Sequence, residues 1–199
     1  SGVLNCGFDM LIEPITSCTI VDDDNNDPMG DKFTYPTQHF NVYHKNAATW
    51  FYRDTVLKKN SLKTVNLTNL EGGRIYRIYT LESQGKTKLR GIRFYYTTKN
   101  NYPGIFSSYS ADYYFYVEYR QGKGVFIYIA PKNFPNTLNV IDALEIPTSS
   151  DRIHYDTIQL KPALTLSGTT KFTDPKSRHS IEVVAEGSDP TPYVDILIT

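Results

Sequence analysis

"YYFYVEYRQGKGVFIYIAP", residues 113–131, reads as two strands around a short glycine turn. Strand alternation sends Tyr113, Phe115, Val117 and Tyr119 to one face and Tyr114, Tyr116, Glu118 and Arg120 to the other. Neither face is plainly polar. The second strand repeats the pattern, with Val125, Ile127 and Ile129 on one side and Phe126 and Tyr128 on the other. One face of this hairpin fills a core, and the tyrosines opposite have two readings. They cover a junction between two parts of the same chain, or they meet a partner. Tyrosine suits a surface that is wet part of the time, because its ring supplies apolar area and its hydroxyl keeps a hydrogen bond. Tyr114, Tyr116 and Tyr128 are therefore the candidate binding residues, with Tyr116 expected to be the more exposed beside Glu118 and Arg120.

The rest of the chain extends the strand signal. Runs such as "LKTVNLT", "RIYRIYTL", "KLRGIRFYYT", "RIHYDTIQL", "ALTLSG", "HSIEVVAE" and "YVDILIT" are separated mostly by glycine, proline, asparagine or serine, and no window sustains a helical apolar period. "EGGR" and "RQGKG" read as hairpin turns. The fold expected is all-β, an antiparallel β-sandwich of jelly-roll type, as one body or as two packed units: residues 1–87 as an N-terminal β region with an acidic loop, and residues 88–199 as a sandwich domain.

Composition narrows the partners. Basic and acidic residues balance at 21 each, and no basic stripe interleaves with the aromatics, which argues against nucleic acid. No apolar run approaches the roughly 18 residues of a membrane span. The chain opens on Ser1 and Gly2 and closes on a strand-like "YVDILIT", which suggests trimmed ends. Cys6 and Cys18 are the two cysteines. They either bridge a small loop, worth roughly 3 kcal/mol, or remain buried thiols. Asn66 opens "NLT", a glycosylation acceptor if the chain is secreted.

Motifs that carry chemistry are sparse. The acidic stretch "VDDDNNDPMGDK", residues 21–32, fails as an EF-hand, because Asp27 and Phe33 stand where glycine and glutamate are needed, and reads better as a solvated loop. His154 and Asp156 have the His-x-Asp form of a non-haem iron site, with His179 as a third candidate, yet on a strand the pair is more simply a surface pair. His39 and His44 have no periodic reason to converge on a metal. No nucleophile elbow or phosphate loop is present.

At "NNYPGIFSSYSADYYFYVEYRQGKGVFIYIAP" the chain resembles the CUB domain, an extracellular β-sandwich module. Asn101, Tyr102 and Pro103 match its opening tripeptide, Phe115 and Val117 its aromatic-x-aliphatic strand, Gly122 its turn, and Val125, Ile127 and Ile129 the strand after it. "IDALEI" is similar to a later strand through Asp142, Leu144 and Ile146, and Ser188 with Asp189 stand in the family's Ser-Asp loop. The resemblance implies an extracellular binding module, with Asp142 and Asp189 as calcium ligands. The family's usual disulfides are missing, and no acid between Ile129 and Asp142 supplies its glutamate. A second register, beginning near "FTYPTQHF" and using Trp50, would place a CUB-like unit in the first half.

The function expected is non-enzymatic: a secreted or particle-surface β-sandwich protein that binds a protein or glycan, or assembles with copies of itself, with no cofactor beyond the calcium that the CUB resemblance implies. The competing readings are a viral capsid or spike jelly roll and, as a minor one, a metal-dependent enzyme.

Overall fold

The structure, a computed structural model, describes residues 3–7, 18–20, 42–47, 62–65, 72–83, 88–96, 113–131, 144–145, 154–155, 157–174, 178–188 and 190–199. In chain order the elements are β1 (Val3–Gly7), β2 (Cys18–Ile20), α1 (Val42–Ala47), β3 (Leu62–Val65), β4 (Arg74–Tyr79), β5 (Gly91–Tyr96), β6 (Tyr113–Arg120) and β7 (Gly124–Pro131). After them come β8 (Leu144–Glu145), β9 (His154–Tyr155), β10 (Thr157–Leu164), β11 (Lys171–Thr173), β12 (Ser180–Gly187) and β13 (Tyr193–Ile198). The described part is all-β apart from α1. A seven-stranded sheet runs β2-β1-β10-β7-β6-β5-β3, a four-stranded sheet runs β11-β12-β13-β4, and β8 pairs with β9.

The hairpin that opened the reading forms as expected. β6 and β7 pair antiparallel from Tyr113 opposite Pro131 to Arg120 opposite Gly124. The turn is closed by Lys123 N–H donating to the Arg120 carbonyl at 3.0 Å. Gly122 and Gly124 take φ of 72° and 103°, a region that L side chains rarely enter. A Cβ on Gly124 would also run into the Leu164 carbonyl, so this turn is fixed by close approach as well as by φ.

Two features depart from the sequence reading. The large sheet is not wholly antiparallel, since β1 runs parallel to β10 and β3 parallel to β5. No crossover helix is needed between β3 and β5, because the chain passes through β4 in the other sheet on its way. For the same reason "EGGR" is not a hairpin turn: it carries the chain from β3 to β4, which pairs with β13 rather than β3. Strands from both sides of residue 87 take part in both large sheets, β1, β2 and β3 in one and β4 in the other.

The inward faces follow the alternation. Phe94, Phe115, Val117, Val125, Ile127 and Ile129 are buried in the large sheet, and Ile78, Phe172, Ile181, Val194 and Ile196 in the small one. Phe94 stacks on Phe115 at 5.2 Å, and Phe115 meets Phe172 at 5.7 Å, which brings the two sheets together. Among the described residues no helix is long and apolar enough to cross a membrane.

Candidate binding face

The outer face of the β6–β7 hairpin is closed within the chain. Tyr116 and Tyr128 are 0% exposed and Tyr114 9%, packed with Val42 and Tyr43 of α1, Leu62 of β3 and Phe126. The expectation that Tyr116 is the more exposed is thus corrected: Tyr43 meets its ring edge-on at 5.5 Å and Tyr114 at 6.1 Å. A helix of six residues gives too short a period to be read from sequence, yet it supplies the cover.

Glu118 is what holds that cover down. Its side chain is fully buried, and its carboxylate accepts the Val42 backbone N–H at 2.6 Å, Arg120 Nε at 2.7 Å and the Tyr128 hydroxyl at 3.1 Å. A buried carboxylate is tolerated when several donors replace its water, and here one donor is cationic. Burial alone would lower the Arg120 pKa, but Glu118 more than offsets it and the guanidinium stays charged. Lys45, also on α1, donates to the Leu81 carbonyl at 3.4 Å. Burial pulls its ammonium down to about 8, with Glu118 opposing the shift and Arg120 adding to it. Among the described residues the buried Asn46 amide and Tyr116 hydroxyl make no hydrogen bond of ordinary geometry, although Asn46 and Arg93 both lie beside that hydroxyl. Burial pushes the Tyr116 hydroxyl above its usual range.

The four-stranded sheet presents the opposite situation. In "RIYRIY", β4 turns Tyr76 and Ile78 inward and Ile75, Arg77 and Tyr79 outward; in "YVDILI", β13 buries Val194, Ile196 and Ile198 and turns Tyr193, Asp195 and Leu197 outward. The register sets Ile75 opposite Leu197, Arg77 opposite Asp195 and Tyr79 opposite Tyr193. Such directly opposed side chains are the closest neighbours a sheet offers.

Arg77 grips Asp195 with both Nε and Nη2 at 2.8 Å, and its guanidinium carbon lies 3.8 Å from the centre of the Tyr193 ring. Its hydrogen bond to Asp195 raises its pKa, so it is cationic at any ordinary pH. Tyr79 meets Tyr193 edge-on at 6.1 Å, with the Lys88 ammonium 5.0 Å from the Tyr79 ring centre. Lys88 also bonds to the Thr191 hydroxyl. Gly187 lies opposite Tyr193 on β12, and a Cβ there would run into the Tyr193 ring. At the end of this face Ile75 is 64% exposed. The bidentate pair and the stacked ring lock these side chains before any ligand arrives, which lowers the ordering cost of binding.

Cys6 and Cys18 are opposed across the β1–β2 ladder. His179 Nδ1 lies 3.2 Å from the Thr199 carbonyl, at the far end of β12. Asn66, Asp142, Asp156 and Asp189 lie outside the described residues, as do Asn101 to Pro103. Among the described residues no three His, Cys, Asp or Glu side chains are grouped as a metal site. The face built on Arg77, Tyr79, Tyr193 and Asp195 was not singled out from the sequence, although the period-2 pattern of "RIYRIY" and "YVDILIT" carried the signal. No family model, curated protein or solved structure matches this chain.

Proposed function

We propose that this chain is a non-enzymatic β-sandwich protein of a secreted or surface setting whose outer β4–β13 face binds a protein partner. The sandwich reading is supported by the two large sheets meeting through Phe115 and Phe172. The secreted setting is supported by the opposition of Cys6 and Cys18, since directly paired strand residues lie within the Cα separation that a disulfide spans.

One observation carries the binding role: Arg77, clamped by Asp195 and stacked on Tyr193, stands beside an Ile75 side chain left 64% exposed. Arginine and tyrosine dominate the energetics of protein interfaces, and a polar clamp flanking an apolar residue suits a partner of mixed surface. A neutral glycan would need open ring faces, whereas Tyr79 and Tyr193 each have a cation on one face.

The test is a binding screen against extracellular proteins, repeated with Arg77→Ala and Tyr193→Ala variants. The reading expects a binder whose affinity falls at least about tenfold in both variants, a loss of roughly 1.4 kcal/mol, with thermal stability nearly kept. Binding that ignores both substitutions would overturn it.

A further inference from the structure

Among the described strands β4 is the last of its sheet. Thr80 N–H donates to the Pro192 carbonyl at 3.0 Å, which fixes the phase of the ladder: Arg74, Tyr76 and Ile78 turn their backbone groups to β13, and Ile75, Arg77 and Tyr79 turn theirs away. Tyr79 N–H is taken by the Leu89 carbonyl at 2.8 Å. The N–H and C=O of Ile75 and Arg77 have no partner among the described residues. A strand edge of this kind is a template for one more strand.

The edge is also cationic. Arg74 and Arg77 lie on it, the Lys63 ammonium is 5.0 Å from the Tyr76 ring centre, and the Lys88 ammonium is 5.0 Å from the Tyr79 ring centre. The carboxylates there are engaged, Asp195 by Arg77 and Glu82 by Thr80 and Arg120. A second copy pairing β4 to β4 would set one cationic edge against another. An extended segment with acidic side chains would not.

Resting on the reading of this face as a protein-binding surface, we infer that β4 takes an extended acidic peptide segment as an added strand. Its backbone pairs with Ile75 and Arg77, an apolar side chain covers Ile75, and its carboxylates, on the alternate face, meet Arg74 and Lys63.

The probe is an eight-residue peptide alternating glutamate and valine, titrated against the full chain by fluorescence anisotropy. The comparators are the same peptide N-methylated at alternate backbone amides and a lysine-for-glutamate version. Ile75→Pro removes an outward N–H together with the exposed side chain that the peptide covers, leaving the β13 ladder intact, and proline is tolerated at such edge positions. Arg74→Glu reverses a charge without touching the backbone and serves should the proline variant not fold. The expected result is saturable binding of the acidic peptide, weakened at least about tenfold by N-methylation, by lysine and by each chain substitution, and weakened further by salt. Equal binding of the N-methylated or lysine peptide, no binding of the acidic one, or a chain that instead dimerises through β4 each overturns the inference. Failure here together with a screen partner that depends on Arg77 and Tyr193 would leave the binding face standing without the added strand.

Discussion

Glu118 and Val42 are joined by a 2.6 Å hydrogen bond from the Val42 backbone N–H to the carboxylate, across 76 residues of chain. That contact seats a six-residue helix on the middle of a seven-stranded sheet, and it converts an aromatic face that looks available in sequence into an interior. Arg120 and Tyr128 donate to the same carboxylate. Replacing Glu118 by alanine removes the nearest counter-charge of a buried guanidinium and an acceptor shared by two other donors. The expected loss is about 3–5 kcal/mol by urea denaturation, well beyond the loss from breaking the more exposed Arg77–Asp195 pair.

Lys45 gives the fold an unusual alkaline response. The unfolded chain holds this proton up to about 10.5, whereas the folded chain releases it near 8. Between those values the unfolded state binds more protons, so stability rises with pH across the window, by about 3 kcal/mol in all. Below pH 8 the penalty of the buried ammonium is fully present. Burial of Tyr116 and Tyr119 raises their pKa values above the usual tyrosine range, so above about pH 10 the sign reverses. Urea denaturation from pH 7 to 10 checks this: the rise is expected in the parent chain and absent in Lys45→Met.

Gly187 sets the position of Tyr193 rather than the conformation of its own strand. Gly187→Ala puts a methyl group where the Tyr193 ring lies and displaces the ring from under Arg77. Partner binding is expected to weaken in this variant about as much as in Tyr193→Ala. Nuclear magnetic resonance of the Tyr193 ring protons reads the displacement directly.

Much of the fold was legible because β alternation leaves both residues and turns in plain view. Phe115, Val117, Ile127 and Ile129 face the core as their spacing requires, and Gly122 and Gly124 mark the hairpin turn. What could not be read was partnership at a distance. Nothing in "VYHKNA" announces a helix, because its cover of Tyr116 depends on a carboxylate 76 residues away. Nor does "EGGR" announce that β4 joins the other sheet, since a pair of glycines serves a hairpin and a sheet-to-sheet link alike. The candidate face was hidden for a related reason: Arg77 and Asp195 are separated by 118 residues, and only the β4–β13 register brings them together.

Cys6 and Cys18, opposed in the β1–β2 ladder, are expected to form a disulfide. Mass spectrometry of the non-reduced protein after alkylation should find neither thiol labelled. Reduction should then lower stability by about 3 kcal/mol, the loop-entropy value for so short a closed loop.

Two aromatic faces divide the labour, one serving the fold and the other serving a partner, and a pair of double variants compared by thermal unfolding tests that division most directly. Tyr116→Ala with Tyr128→Ala removes two fully buried rings, each worth roughly 3–5 kcal/mol, and is expected to abolish cooperative unfolding or lower the midpoint by tens of degrees. Arg77→Ala with Tyr193→Ala is expected to lower it by only about 2–6 °C while removing partner binding. Equal loss of stability in the two variants would contradict the account, because the β4–β13 face would then be part of what holds the chain together.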